Sequence, residues 1–392
     1  MALRYALDLA AARAKPWAYA GFDEALGGWL IPFSLHELHD HLRCPITQPG
    51  LFDIAVTETA KIYDWAIGMP NLGKHRLFLP QRSLRYRDRV LDLALPTNPN
   101  FQLETPFFIE PGMHPDLVEE GYHLGAWRMG KGYPKNGTTE SEWGIDFRYI
   151  ESIFPILERM EKLRMWLLLH SEMVLDSVGE LIADRLREPL SIAVVDRILR
   201  TFPGLRVTIE HLSKKPMVEA VRLWQAEDRL VDATIAPQYA IWNSTALFAG
   251  GMNPVNFSIP ILGDEEDRLA LIAFLMDGLG MAGKDNAIHD ITAKSRPRGC
   301  SGGVFSGPVG LYVYFHLFRL HGGPSWFEKF LDFQCRRPIV WYELDPTPRS
   351  HTIIREQDWY VPGLYQSQGA QAIPLFADSV MPYNSERLPL AA

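Results

Sequence analysis

The feature that most constrains this chain is an alternation of short apolar runs with longer helical patterns. Residues 165–169 and 206–209 are apolar runs of strand length, and helical periodicity follows them over 192–200 and 215–225. Such alternation is typical of parallel strands joined by helical crossovers. The other predicted strands are 65–69, 106–109, 233–235, 257–259 and 279–281, and the other predicted helices are 81–95 and 115–122.

The length of 392 residues favours one architecture for this alternation. We predict an α/β fold with a closed (β/α)₈ TIM-like barrel, because such barrels span about 250 residues or more as one domain. An open doubly wound sheet is the alternative, but no glycine-rich phosphate loop follows the first strand. We predict a helical extension over 1–30, the barrel over 31–320, and a C-terminal helix and tail over 321–392 wrapping it.

Composition excludes several classes of function. The net charge of −8 lacks the basic excess of a nucleic-acid binder, and no run of 18 apolar residues could span a membrane. Three cysteines are too few and too scattered for a disulfide framework, which indicates a reducing compartment. The first residues lack the uninterrupted apolar core of a signal peptide. We therefore predict a cytoplasmic protein that binds neither nucleic acid nor membrane.

Polar side chains follow the predicted strands in a pattern that indicates a metal site. His39 and His41 are two residues apart, so on a strand they share a face, while His170, His211 and Asp285 lie at later strand ends. Each alone is more often a core or turn residue. Because the carboxyl ends of barrel strands form the active-site face, the five together predict a site for zinc, which accepts imidazole and carboxylate ligands.

Nine short blocks along the chain form a recognisable set. They are HDHLR at 39–43, GMPN at 68–71, KGYPKNGTT at 131–139, LLHSE at 168–172, IEHLS at 209–213, ATIAPQ at 233–238, IPIL at 259–262, GKDNAIH at 283–289 and GCSG at 299–302. In this order they resemble blocks of the dihydroorotases, within the amidohydrolase superfamily. The resemblance runs from about residue 35 to 320, and it is strongest to the shorter, stand-alone bacterial type.

The resemblance implies two Zn²⁺ ions per chain, bridged by a carbamate on Lys131. A carbamate is an anion with two oxygen ligands, and its formation needs the neutral amine that burial favours. The implied ligands are His39, His41 and Asp285 for the more buried zinc, and His170 and His211 for the more exposed one.

The resemblance also implies a small-molecule substrate that carries a carboxylate. An arginine at position 43 suits this role, because its planar fork matches a carboxylate. The implied substrate contacts are Arg43, Asn71 and His289 for the carboxylate, Thr138 and Thr139 on a closing loop, and backbone groups near Ile259 and Ser301 for the ring.

The implied reaction is metal-assisted hydrolysis of a cyclic amide. The metals lower the pKa of a water molecule. Asp285 takes the proton of the attacking water and delivers it to the departing ring nitrogen. In reverse, this reaction cyclises N-carbamoyl-L-aspartate to (S)-dihydroorotate in pyrimidine biosynthesis. The resemblance suggests a homodimer.

The chain departs from the family pattern at several positions, which we expect to lie around the ring-binding side. A related hydrolase of another carboxylate-bearing cyclic amide or imide therefore stays open. A catalytically silent homologue that serves as an assembly partner is a third possibility, which the retention of every implied ligand disfavours. The departures are Cys44, Asn253, Gly263, Lys284 and Ile288.

Overall fold

The computed structural model describes residues 21–388 and residue 390, so the helix predicted before residue 21 lies outside the described residues. Parallel strands alternate with helices through most of the chain. The strands are β1 (Gly21–Asp23), β2 (Gly28–Ile31), β3 (His36–Asp40), β4 (Trp65–Gly68), β5 (Gln102–Glu104), β6 (Phe107–Phe108), β7 (Met129–Gly132), β8 (Trp166–Leu169), β9 (Arg206–Ile209), β10 (Val231–Ile235), β11 (Met281–Ala282), β12 (His351–Tyr360), β13 (Tyr365–Ser367), β14 (Ala370–Ala372) and β15 (Val380–Leu388).

Several helices begin with a proline in the first turn, where its missing N–H costs nothing. Among the described residues, no helix is long and apolar enough to cross a membrane. The helices are α1 (Pro49–Ile62), α2 (Pro80–Ala94), α3 (Pro115–His123), α4 (Phe154–Lys162), α5 (Asp184–Thr201), α6 (Lys215–Ala226), α7 (Pro237–Ile241), α8 (Glu265–Met276), α9 (Ile291–Lys294), α10 (Gly310–His321), α11 (Trp326–Leu331) and α12 (Arg337–Trp341), with a π-helical turn at Asp332–Arg336 and 3₁₀ turns at Gly73–His75, Phe147–Ile153, Ser244–Leu247, Pro254–Asn256 and Gly323–Ser325.

The parallel strands pair in chain order. Strands β3, β4 and β5 form one sheet, and β6 to β11 form a second sheet in which every neighbour is parallel. Two residues separate β5 from β6, so the two sheets continue one another along the chain. After β11, Asn286 pairs with Asp40 of β3, and His41 donates its backbone N–H to the Asn286 carbonyl at 3.2 Å. The predicted alternation of parallel strands and helices is therefore confirmed.

Both faces of the parallel strands are buried. On β8, Leu167 and Leu169 belong to the large hydrophobic core that includes residues of α4 and α6. Leu168, which points the other way, lies in a separate cluster that includes residues of other parallel strands, such as Ile67 and Met129. Burial on both faces explains why these strands are continuous apolar runs in the sequence.

The outer sheet differs from the prediction for the two ends of the chain. Residues 21–31 form strands β1 and β2 where a helical extension was predicted, and the segment predicted as a tail contains β12 to β15. Four of these strands make an antiparallel sheet in the order β1–β2–β12–β15, and β13 pairs with β14 separately. A four-residue strand whose partner lies more than 300 residues away leaves little periodicity to read.

The strand predicted at 257–259 is also wrong. The Phe257 carbonyl accepts from the Gly303 N–H at 2.8 Å and from the Lys294 ammonium at 2.9 Å. Because a loop and a lysine satisfy this backbone group, the segment has no strand partner there.

Candidate active site

The carboxyl ends of the first and last parallel strands bring three predicted metal ligands together. His39 lies in β3, His41 follows that strand directly, and Asp285 follows β11. The Nε2 atoms of the two histidines are 3.3 Å apart, and they lie 3.5 and 3.2 Å from Asp285 Oδ1. Ligands about 2.0–2.1 Å from a tetrahedral zinc are separated by roughly 3.3 Å. The three atoms therefore have the spacing of three corners of a zinc site.

A carboxylate that the sequence analysis missed orients the first histidine. Glu210 is buried and contacts His39 through Nδ1, which leaves Nε2 for the metal. Metal-binding histidines usually donate their second N–H to such a carboxylate. Burial raises the pKa of Glu210 to about 7, and the nearby Lys131 opposes that shift. The sequence offered no signal for Glu210, because neighbouring residues of a strand ordinarily point to opposite faces, and the left-handed backbone of His211 was not visible in the sequence.

The other two predicted histidines lie beside this group. The ring centroids of His170 and His211 are 4.5 Å apart, and His211 lies 5.1 Å from His39. His170 Nε2 is 2.6 Å from the Glu172 carboxylate, so its Nδ1 is the nitrogen left for a metal. Among the described residues, the buried Nδ1 of His211 has no hydrogen-bond partner.

Lys131 lies on β7, completely buried, rather than on the surface. Its Nζ has no hydrogen-bond partner in the described part of the chain, and the Glu210 carboxylate is 3.8 Å away. Burial lowers the pKa of Lys131 to about 8, although Glu210 and Asp285 oppose that shift. A larger share of neutral amine follows, which is the form that reacts with carbon dioxide.

Asp285 keeps its charge despite its surroundings. Burial alone would raise its pKa, but the hydrogen bond with His41 and the neighbouring imidazoles hold the pKa below its ordinary value. The carboxylate is therefore available both as a ligand and as a proton acceptor.

Three site residues adopt a backbone conformation that non-glycine residues rarely use. Arg43, His211 and Asp285 have φ values of 66°, 42° and 45°, and each lies two or three residues after a strand ends. Left-handed residues of this kind cluster at functional sites, where the surrounding structure maintains them. Here they turn the chain at the strand ends, so that successive side chains face the same cavity.

The predicted carboxylate contacts lie on the loops above the metal ligands. The Arg43 Nε donates to the Ile288 carbonyl at 2.6 Å, and its buried Nη2 has no partner among the residues described. Asn71 accepts from the Tyr133 hydroxyl at 2.8 Å and donates to the Thr139 carbonyl at 3.1 Å. The threonine loop therefore rests against Asn71, and one guanidinium nitrogen is free for a ligand.

One cavity collects almost every predicted site residue. Lys131 lies behind its wall, next to the histidines. Ser301 does not line it, because its N–H bonds to the Ala293 carbonyl and its own carbonyl accepts from Lys294. The cavity is lined by His39, His41, Arg43, Asn71, Thr138, Thr139, His170, His211, Ile259, Asp285 and His289, together with four residues not predicted, Tyr133, Ala287, Gly302 and Gly303.

The departures from the family pattern lie elsewhere than expected. None of the five lines this cavity, so the expectation that they surround the ring is wrong for their side chains. Lys284 points away beneath Asp285, with its Nζ 3.6 Å from Glu37 and 3.9 Å from Asp40. Cys44 and Ile288 are buried in a hydrophobic cluster beside the site.

Comparison with solved structures first gives the fold. L-hydantoinase from Arthrobacter aurescens superposes with a TM-score of 0.76 over 93% of this chain and 84% of that one, at 14% identity. This likeness shows that the two chains share a fold. No protein-family model matches the chain.

Comparison at the sequence level then identifies the family. The dihydroorotase of Enterobacter sp. (strain 638) is 31% identical over 349 residues, which cover 88% of this chain and 92% of that protein. Dihydroorotase from Campylobacter jejuni has a TM-score of 0.78 at 25% identity, covering 90% and 96% of the two chains. The Saccharomyces cerevisiae enzyme, solved with 5-fluoroorotic acid, has a TM-score of 0.83 at 22% identity, covering 92% and 98%. The chain belongs to the dihydroorotase family.

Proposed function

We propose that this protein is a dihydroorotase, which interconverts N-carbamoyl-L-aspartate and (S)-dihydroorotate in pyrimidine biosynthesis. The observation that carries the proposal is the convergence of metal ligands and a free buried guanidinium on one cavity. Relatives of that name cover most of the chain. A different ring substrate is disfavoured, because none of the five departing residues lines the cavity.

The metal content that we propose is two Zn²⁺ ions per chain. The spacing of His39, His41 and Asp285 fits one ion, and His170 with the unpartnered nitrogen of His211 fits a second beside it. The buried, unpartnered amine of Lys131 supports a carbamate whose two oxygens would serve both ions. When bound, two such ions supply Lewis-acid activation of water and of the scissile carbonyl.

Asp285 moves the proton in this proposal. Its carboxylate is ionised, because its pKa is held below the ordinary value, and it lies against the ligand cluster, where it would accept a proton from the attacking water. It then returns that proton to the ring nitrogen as the amide bond breaks. Binding beside His41 keeps the carboxylate oriented through both steps.

In this proposal, the substrate is recognised by hydrogen-bond donors on the loops above the proposed metal ligands. Arg43 Nη2 would pair with the substrate carboxylate, and Asn71 and His289 would complete its contacts. Main-chain groups of Ile259 and of the Gly302–Gly303 segment would face the ring. Gly303 has a φ of 150°, and a Cβ there would lie 2.5 Å from the Ala287 carbonyl, so a side chain at this wall is excluded.

Turnover assays in both directions of the reaction test the proposal. Purified protein should hydrolyse dihydroorotate at alkaline pH and form it from N-carbamoyl-L-aspartate at acidic pH, with absorbance of the ring as readout. Metal analysis of the same sample should give two zinc ions per chain. Turnover of another carboxylate-bearing ring, without dihydroorotate turnover, would favour the related hydrolase instead. Full metal loading without any turnover would favour the silent homologue.

Three further proposals concern architecture and context. A closed (β/α)₈ barrel is supported by the pairing of Asp40 with Asn286 and by the cluster around Leu168, to which several parallel strands contribute. A homodimer is proposed from the family, and light scattering in solution tests it. All three cysteines are free, which supports a cytoplasmic location that fractionation of cells tests.

A further inference from the structure

A second cavity opens beside the active site, between the segment after β3 and helix α2. Its volume is about 560 Å³, within the range of roughly 300–1,000 Å³ usual for small-molecule sites. The floor is apolar and buried, and consists of Cys44, Leu72, Leu77 and the ring of Tyr86. Ile46 stands at the edge with 70% of its surface exposed. The floor therefore suits the flat face of an apolar ring.

The rim of this cavity carries an excess of positive charge. Arg82, Arg85 and Arg89 line it from one face of α2, at the spacing of successive helical turns. Within the described residues, no carboxylate comes within 4.0 Å of Arg82 or Arg85, and the nearest to Arg89 is Asp92 at 3.9 Å. Asp88 is the one carboxylate among the lining residues. Arg82 and Arg85 donate instead to the main-chain carbonyls of Lys74 and Gln81, at 3.2 and 3.1 Å. Guanidinium groups without a carboxylate partner, beside an apolar floor, suit an organic anion.

The back of the floor contacts the substrate-binding residues. The Tyr86 hydroxyl donates to the Arg43 carbonyl at 3.0 Å. Cys44 follows Arg43 in the chain, and Leu72 follows Asn71. Movement of the floor would therefore be transmitted to two residues of the proposed carboxylate site.

We propose that this cavity is a ligand site for a small aromatic phosphate monoester. The ring lies on the apolar floor, and the phosphate pairs with the arginines of α2, whose fork geometry matches its oxygens. Occupancy changes the affinity for substrate through Tyr86 and Arg43. The coupling to substrate rests on the proposed function, whereas the binding itself does not.

Calorimetry with phenyl phosphate, inorganic phosphate and phenol on the metal-loaded protein tests the site. Phenyl phosphate should bind. Inorganic phosphate, which lacks the ring, and phenol, which lacks the phosphate, should each bind at least about tenfold more weakly. Arg85→Gln should weaken phenyl phosphate about tenfold, and Arg82→Gln similarly. The matched control is Arg185→Gln, an exposed helical arginine far along the chain in α5, which should change nothing.

Three results would overturn this assignment. Equal binding of inorganic and phenyl phosphate would remove the role of the floor. Loss of binding in Arg43→Met but not in Arg85→Gln would place the probe in the active site. Conversion of a dimer to a monomer by Arg85→Gln would make the cavity a contact between two copies of the chain.

The coupling has its own test. Phenyl phosphate should change the KM for dihydroorotate several-fold in the wild type, and Tyr86→Phe, which removes only the hydroxyl, should abolish this change while leaving calorimetric binding intact. An unchanged KM in wild-type protein that binds the probe would overturn the coupling. Absence of any turnover would count against the proposed function alone, because calorimetry reports the site independently.

Discussion

The metal side and the substrate side of the active-site cavity are built differently. Lys131 lies in β7, which pairs with a strand on each side, His39 lies in β3, which pairs with β4, and His170 directly follows β8, so strand pairing holds the backbone of the proposed ligands. Thr139 and His289 lie on loops, held by single hydrogen bonds to neighbouring segments. Substitution of a proposed metal ligand should therefore abolish metal binding and turnover, whereas substitution of a proposed substrate contact should only lower the turnover rate.

The largest effect is expected at Lys131. Lys131→Ala should lose metal and turnover together, because the proposed carbamate on this lysine would bind both metal ions. Small carboxylic acids should restore part of the activity by replacing the carbamate. Elemental analysis and turnover are the measurements. Lys294→Ala, at another buried lysine, serves as the control and should keep both metals, and a Lys131→Ala protein with two metals would contradict the bridge.

Asp285 lies on the metal side but also acts on the substrate. Asp285→Asn should lower kcat by about 10²–10⁴-fold, the usual contribution of general acid–base groups. Much of the metal should remain, because the amide oxygen can still coordinate. Near-normal turnover would assign the proton transfer to another group, with His289 as the next candidate to mutate.

On the substrate side, Arg43 should determine selectivity for the carboxylate. Wild-type protein should prefer dihydroorotate over dihydrouracil by at least about 10²-fold, because a charge-assisted pair contributes roughly 1.5–3 kcal/mol. Arg43→Met should erase this preference, mainly by losing activity on the acid, as kcat/KM for the two rings will show. Equal activity of the wild type on both rings would instead favour a hydantoinase-like or imidase-like role.

The smallest effect should come from a residue that supports a ligand without being one. Glu210→Gln should weaken zinc binding or activity about 10–100-fold, because an amide orients the His39 ring less well than a carboxylate. Zinc affinity by competition with a chelator is the readout. Glu188→Gln, at a buried glutamate that contacts Ser213 instead, is the matched control, and equal losses in both variants would reduce Glu210 to a packing role.

The contrast between the two sides also explains what the sequence could predict. The histidines and the aspartate of the proposed metal site were recognisable because they lie in or after predicted strands, whereas Lys131 was identified only through the family resemblance. The proposed ring contacts are main-chain groups, whose position the side-chain pattern does not reveal, so Ser301 was chosen where Gly302 and Gly303 line the cavity. Tyr133 was missed although it is two residues from Lys131, since only the fold shows its hydroxyl reaching Asn71.

The same limit applies to the fold. Continuous apolar strands such as β8 were recognisable because both of their faces are buried. Strand β2 was not, because its pairing partner lies in β12. Local patterns predict elements, and contacts between distant segments decide which of the marginal elements form.

The pairing of β2 with β12 has a consequence for synthesis on the ribosome. Some 320 residues are made between these strands, so β2 waits beside β1 alone while all the parallel strands emerge. Strand β12 then needs β15, which ends at Leu388, to cover its other edge. A nascent chain that stalls before residue 351 therefore exposes an unpaired strand edge, the kind of surface that chaperones bind and that promotes aggregation.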